Sequence, residues 1–317
     1  MDIDNKSMTS AVTNKKTVSP RKGIKAFLYS QTAAPYVFIS PFIIIFIVFF
    51  IYPVISTITM SFQTVLPGKL EFIGFENYKN LLNPTFFKAI RNSMMYTVLT
   101  LALLIPIPMI LACFLNSKNM IGRNFFRSTL FIPALTSAVV ATTIFRLIFG
   151  ELPGSLMNQI IGVFGFTPIK WLKMQTTSFA ALLILACWRW TGVNILYFLS
   201  GLQNIPQEVN ESASLDGATT IQKFLYITMP MLRPITIYVL TISIYAGMAM
   251  FTESYMLFGS NKSPNDMGLT IIGYLYRQGW EQNNIGFGCA IGIVLLLFAL
   301  VLNFAQLKIF GLFRKED

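Results

Sequence analysis

The run YVFISPFIIIFIVFFIYPVISTITMS, residues 36–61, decides what kind of molecule this is. It holds no charged residue and exceeds the roughly 20 apolar residues that a helix needs to cross a bilayer. Five more runs of the same kind follow, at roughly 93–115, 129–149, 178–200, 235–257 and 287–307. None shows the apolar–polar alternation of a membrane barrel strand. The expectation is therefore an all-α polytopic membrane protein with six transmembrane helices. Composition agrees, since only 12% of the 317 residues are charged, about half the share in soluble domains.

The same composition excludes several chemistries. Histidine, the commonest general base and metal ligand, is absent. Cys113, Cys187 and Cys289 lie inside apolar runs with no CxxC pair, so neither a disulfide framework nor a zinc site is expected. The net charge of +11 does not indicate nucleic acid, because the basic residues sit beside the apolar runs as topology signals do. Lys6, Lys15, Lys16, Arg21, Lys22 and Lys25 precede the first span, Lys118, Arg123 and Arg127 follow the second, and Lys308, Arg314 and Lys315 follow the sixth. Loops on the other side are longer and carry fewer cations, among them Lys69, Lys79, Lys88, Arg91, Lys170, Lys173, Lys262 and Arg277. This bias puts both termini in the cytoplasm. Residues 1–34 read as a polar cytoplasmic tail, 35–310 as the membrane domain and 311–317 as a short cytoplasmic end. A cleaved signal peptide is not expected, because the first apolar run starts late and is too long. Residues 67–93 mix aromatic and charged residues and suit an external cap.

Between the fourth and fifth spans lies a polar segment, about 201–234, that is too ordered for a plain connector. Its centre is NESASLDGATTIQKFLYITMP, residues 210–230. Pro206 suits a helix start and Glu208 the positive end of its dipole. The helix runs to Asp216, and Gly217 falls where a left-handed residue ends it. Thr219 or Thr220 can cap a second helix whose Ile221, Phe224, Leu225 and Thr228 share one face. By itself this reads either as an interfacial connector or as a docking element for a cytoplasmic partner.

The pattern Glu211-Ser212-Ala213, Asp216-Gly217-Ala218, Phe224, Ile227, Met229-Pro230 resembles the EAA loop of binding-protein-dependent ABC importer permeases. Ser212 and Met229 are mild departures from that family's usual Ala and Leu. GLQNIPQE, residues 201–208, is similar to the carbohydrate, or maltose-permease, branch. The apolar segments SPFIIIFIVFFIYPVISTITMSFQTVLPG and FIPALTSAVVATTIFRLIFGE look like the permeases of arabinose or arabino-oligosaccharide importers of Gram-positive bacteria. The resemblance implies a type I ABC importer permease fold and a subunit that moves a sugar or oligosaccharide without being an enzyme. It implies a homologous second permease, two cytoplasmic ATPase subunits that hold the ATP and Mg, and an extracellular solute-binding protein. Glu211, Ser212, Ala213, Asp216, Gly217, Ala218 and Phe224 would then couple this chain to the ATPase. No G-x-x-x-x-G-K-[ST] occurs, so no nucleotide cofactor is expected on this chain.

Charges inside spans are expensive when they face lipid, so Arg146, Arg189 and Glu253 are expected to face the bundle or a wet path. Arg189 and Glu253 could pair or could touch the solute. Sugars present hydroxyls and weakly apolar faces, so their sites combine aromatic platforms with hydrogen-bonding groups. Trp190, Asn194 and Tyr197 share a face of the fourth span; Tyr245, Ala249 and Glu253 fall at i, i+4 and i+8 on the fifth, with Met248 adjacent. These are the candidate substrate contacts, and ordinary packing is the competing reading. Pro106, Pro108 and Pro133 are expected to kink helices. A permease for another polar solute, such as glycerol phosphate or a polyamine, should carry more matching charges. A membrane enzyme should carry a catalytic cluster, and a secondary transporter an inverted repeat.

Overall fold

The computed structural model describes residues 32–66, 68–117, 120–259 and 263–310. Of the tails read from sequence at 1–34 and 311–317, residues 1–31 and 311–317 lie outside the described residues, as do Lys118 and Lys262. The chain divides into two units, Met1–Ser56 and Thr57–Asp317.

The first unit holds most of helix α1, Ala34–Ser61. Phe42, Phe46 and Phe50 stack in sequence along it, with centroids 6.1 and 4.9 Å apart. Pro41 lies inside the helix and cannot donate to the carbonyl of Val37. The Ser40 hydroxyl donates to that carbonyl instead, at 2.8 Å.

The second unit begins with a small antiparallel hairpin, β1 (Gln63–Leu66) and β2 (Lys69–Phe72), in the register Gln63↔Phe72 to Leu66↔Lys69. These strands were not expected in the cap. Helix α2, Glu76–Asn80, follows, and its buried Asn77 donates to the carbonyls of Ser61 and Gln63 at 2.9 Å each. Helix α3 spans Pro84–Asn116, starting well before the apolar run at 93. Asn83 caps it by accepting from Phe86 N at 2.9 Å. Polar Asn92 and Ser93 are buried there, because Asn92 donates to the carbonyls of Asp266 and Leu269 and Ser93 Oγ accepts from Ile271 N.

The third expected span is two helices, α4 (Arg123–Leu135) and α5 (Ala138–Ile148), bent by 96°. Pro133 and the extended backbone of Thr136 and Ser137 account for the elbow. Helix α6, Leu156–Val163, is clamped to the loop that follows by buried Asn158, whose Oδ1 accepts from Ile169 N and Trp171 Nε1. Helix α7, Gln175–Gln203, is the long fourth span. The polar segment forms α8 (Gln207–Leu215) and α9 (Thr220–Met231), and α9 meets α10 (Arg233–Met248) at 66°. The fifth span ends at Met248, earlier than expected, and a separate helix α11, Thr252–Phe258, follows the break. A 3-10 turn at Pro264–Asp266 and helix α12, Ile271–Tyr276, precede the last span, α13, Ile285–Ile309.

With lipid outside, helices associate through close packing and hydrogen bonds rather than through hydrophobic exclusion. Gly192 of α7 lies against the backbone of Leu130 and Phe131 in α4, with no room for a Cβ. Gly286 of α13 lies in the same way against the Gln63 carbonyl. Buried Gln306 ties α13 to α10 by accepting from Thr241 Oγ1 at 3.0 Å and donating to Ile237 O at 3.3 Å. We expect Gly192→Val to cost about 1–3 kcal/mol through overpacking, read as a lower midpoint of thermal unfolding of the detergent-purified chain. An unchanged midpoint would mean that α4 and α7 separate more readily than this contact implies.

Candidate solute pathway and coupling loop

A cavity of about 350 Å³ opens between α3, α7, α10 and the break before α11, at the small end of the range for small-molecule sites. Of the expected contacts, Trp190, Asn194, Tyr197, Ala249 and Glu253 are in its wall. Tyr245 is not, and is 66% exposed. Met248 is fully buried among Phe86, Leu269 and Ile291 as a core residue. The reason is that α10 stops at Met248. The expected Tyr245–Ala249–Glu253 stripe assumes a helix that does not continue, since Phe251 adopts φ −140° and ψ −59°. Ala249 and Glu253 reach the cavity through the break, while α10 itself offers Ser243 and Gly247.

Sequence reading missed the α3 side, where Tyr96, Thr100 and Leu104 line the wall at i, i+4 and i+8. Two polar residues on one stripe of an apolar span were the available signal. Thr100 spends its hydroxyl on the carbonyls of Tyr96 and Thr97, at 2.8 and 2.9 Å.

The charges pair. Arg189 Nη1 donates to Glu253 Oε1 at 2.6 Å, and the Arg189 guanidinium lies 5.1 Å from the Trp190 ring centroid. Arg189 is 7% exposed and outside the cavity wall, whereas the Glu253 side chain is in it. The cavity thus meets a carboxylate edge held by a hidden cation, with indole and phenol rings around it. Such a wall offers stacking faces and an acceptor to a ligand rich in hydroxyls. The third intramembrane charge, Arg146, places its guanidinium against Gly259, which ends α11 at φ +73°. Among the described residues, no group of three or more His, Cys, Asp or Glu could hold a metal ion.

At the end of α7 the chain enters the polar segment. Pro206 is the N-cap of α8, and Glu208 lies in its first turn. Gly217 takes φ +78°, Ala218 N donates to Ala213 O at 2.9 Å, and Gly217 N donates to Ser214 O at 3.2 Å. This double bond is a Schellman termination, which needs the left-handed residue that Gly supplies. Thr219 then starts α9 with a reciprocal capping box to Gln222. Glu211 is exposed and accepts from Gln207 Nε2. Ser212 and Asp216 are exposed, while Ala213 and Ala218 are half-buried. Phe224 packs against the core cluster of Ile195, Phe198 and Leu232. The expected shared face fails in part: Ile221 is 70% exposed. A π turn at Phe224–Thr228 resets the helical phase midway through it. Leu215, 89% exposed, and Tyr226, 77% exposed, join Ile221 as bare apolar side chains on the segment.

Apolar spans, a largely apolar cavity with a few polar groups beside a broken helix, and a capped polar loop are features that suit a membrane transport subunit. The sequence profile described as "Binding-protein-dependent transport system inner membrane component" matches residues 104–310, and the chain belongs to that family. It is 53% identical over 300 residues to the arabinooligosaccharides transport system permease protein AraP of Bacillus subtilis (strain 168), covering 95% of this chain and 96% of the relative. It is 30% identical to the lactose transport system permease protein LacF of Rhizobium radiobacter, covering 86% and 92%. The fold matches a chain from the crystal structure of a bacterial ABC transporter involved in import of the acidic polysaccharide alginate, with a TM-score of 0.79 at 23% identity, covering 89% of this chain and 96% of that one. This is the type I importer permease fold.

Removing one partner of a buried ion pair strands the other charge and costs about 3–5 kcal/mol. We therefore expect Arg189→Met to destabilise the chain strongly and the double variant Arg189→Met/Glu253→Leu to recover most of the loss. Thermal unfolding of the three proteins checks this, and a double variant no better than the single one would contradict the pairing as the source of the cost.

Proposed function

We propose that this chain is the sugar-conducting permease subunit of an ABC importer, and that its solute is a neutral sugar or oligosaccharide of the arabinose type. Similarity to permeases whose names specify arabinooligosaccharides and lactose supports a sugar. The described cavity wall contains the Glu253 carboxylate and no Lys or Arg, which favours a neutral solute over an acidic one. Trp190 and Tyr197 would stack on sugar rings, and Glu253 would accept from their hydroxyls.

The observation that carries the reading is the Schellman-locked loop joined to the cavity by the helices on either side of it. Residues 207–231 would insert into a cleft on a separate ATPase subunit, with Leu215, Ile221 and Tyr226 buried on docking and Glu211 and Asp216 making polar contacts at the rim. Closure of two ATPases around ATP and Mg would push the loop and tilt α7 and α10, opening the cavity to alternate sides. This chain holds no nucleotide in that scheme and performs no covalent chemistry. A homologous second permease would complete the pathway, and an extracellular solute-binding protein would load it. Both termini and the loop would face the cytoplasm.

Co-expression with candidate ATPase and partner permease subunits tests the coupling. Wild type should capture an ATPase, Glu211→Lys and Gly217→Val should lose it with the permease pair intact, and Gly217→Asn should retain it, because Asn tolerates a left-handed backbone. Capture that none of these substitutions alters would overturn the loop's role.

A further inference from the structure

Pro108 has no N–H, so the carbonyl of Leu104, four residues earlier, has no helical partner. A buried carbonyl left without a partner is costly. The structure fills the gap from another helix: Asn194 Nδ2 of α7 donates to Leu104 O at 2.9 Å, in a buried bond. Asn194 is 7% exposed and Leu104 5%, and both are in the cavity wall. Pro106 and Pro108 divide α3 at Ile105, so this amide ties the break itself to the neighbouring helix, beside the apolar packing of Met109, Ala112 and Leu115 on Ile195, Phe198 and Leu199.

We propose that Asn194 is a positioning residue: it clasps the proline break of α3 to α7 and thereby sets the cavity wall, rather than serving mainly as a solute ligand. The bond crosses from the helix that carries Arg189 and Trp190 to the helix that carries Tyr96 and Thr100. Ser40 and Pro41 show the same remedy inside α1. There the donor is local and ties nothing together. At Leu104 the donor comes from α7, and a defect in one helix becomes a junction between two.

The inference about transport rests on the importer reading above, but its central test does not. If Asn194 serves the carbonyl that Pro108 leaves open, restoring an N–H at position 108 should make Asn194 dispensable. Four full-length chains decide this: wild type, N194L, P108A and N194L/P108A. Their unfolding midpoints are measured in detergent. Uptake of a labelled arabino-oligosaccharide is measured in cells holding the complete transporter, normalised to the amount of chain in the membrane. N194L should lower the midpoint by several degrees and raise KM about tenfold, the scale of one unsatisfied buried carbonyl. In the P108A background the same substitution should change neither quantity. N194L that folds only together with P108A is the same result in stronger form. The proposal is overturned if N194L is silent, if it is equally damaging in both backgrounds, or if the KM defect persists once the midpoint is restored, since Asn194 would then act on the solute itself. Absence of uptake by wild type would instead count against the importer reading, and the unfolding cycle would still decide the clasp.

Discussion

Every backbone N–H and C=O inside hydrocarbon has to find a partner within the protein, and this requirement organises the structure. The spans are rich in proline, and each proline removes a donor at a known place. Where the gap is local, a hydroxyl fills it, as Ser40 does for Val37. Where it is not, another helix is recruited, as α7 is for Leu104. Polar side chains in an apolar bundle then serve as fasteners. Gln306 between α10 and α13, Asn92 and Ser93 under the loop before α12, and Asn77 behind the hairpin all spend their donors or acceptors on main-chain groups.

Such fasteners leave the bundle stiff along its helices and divided at a few breaks. Helix α7 runs without interruption from Gln175, beside Trp171, past Trp190 and Asn194 to the start of the loop, and α10 returns from the loop to Ser243 and Gly247. Residues that touch the cavity and residues that hold the loop therefore belong to the same rods. The breaks after Met248 and at Ile105 lie beside the cavity, where a change of angle alters its shape. The 66° bend between α9 and α10 lies at the other end of the rod. In the proposed scheme, a push on the loop would be carried along α7 and α10 to the cavity.

Much of this was legible in the sequence because some signals are local and others are not. The loop was read well: the Pro206 start, the Gly217 turn and the Thr219 cap depend on chemistry within a few residues. The number of apolar runs was legible for the same reason. Pro133 marked a kink within 123–148, but hydropathy reports composition and not direction, so nothing signalled that the turn reaches 96° or that the fifth run stops at Met248. That single break explains why Tyr245 and Met248 were misplaced while Ala249 and Glu253 still reach the cavity. The start of α3 was put too late because Lys88, Arg91 and Asn92 look like surface residues, and only the partners of Asn92 at 266 and 269 show it to be interior. Arg189 and Glu253 announced themselves as costly charges, but that they pair with each other needed coordinates.

The elbow in the third crossing bears on how the chain is made. Helix α4 has 13 residues and α5 has 11, so at 1.5 Å per residue each is only about 20 Å long or less, short of the roughly 30 Å hydrocarbon layer. Neither can settle across the bilayer as it leaves the ribosome. Helix α4 waits for Gly192 of α7, and α5 packs with α11, both synthesised later. The third crossing is thus completed only by packing against elements that follow it in the chain, α7 on one arm of the elbow and α11 on the other.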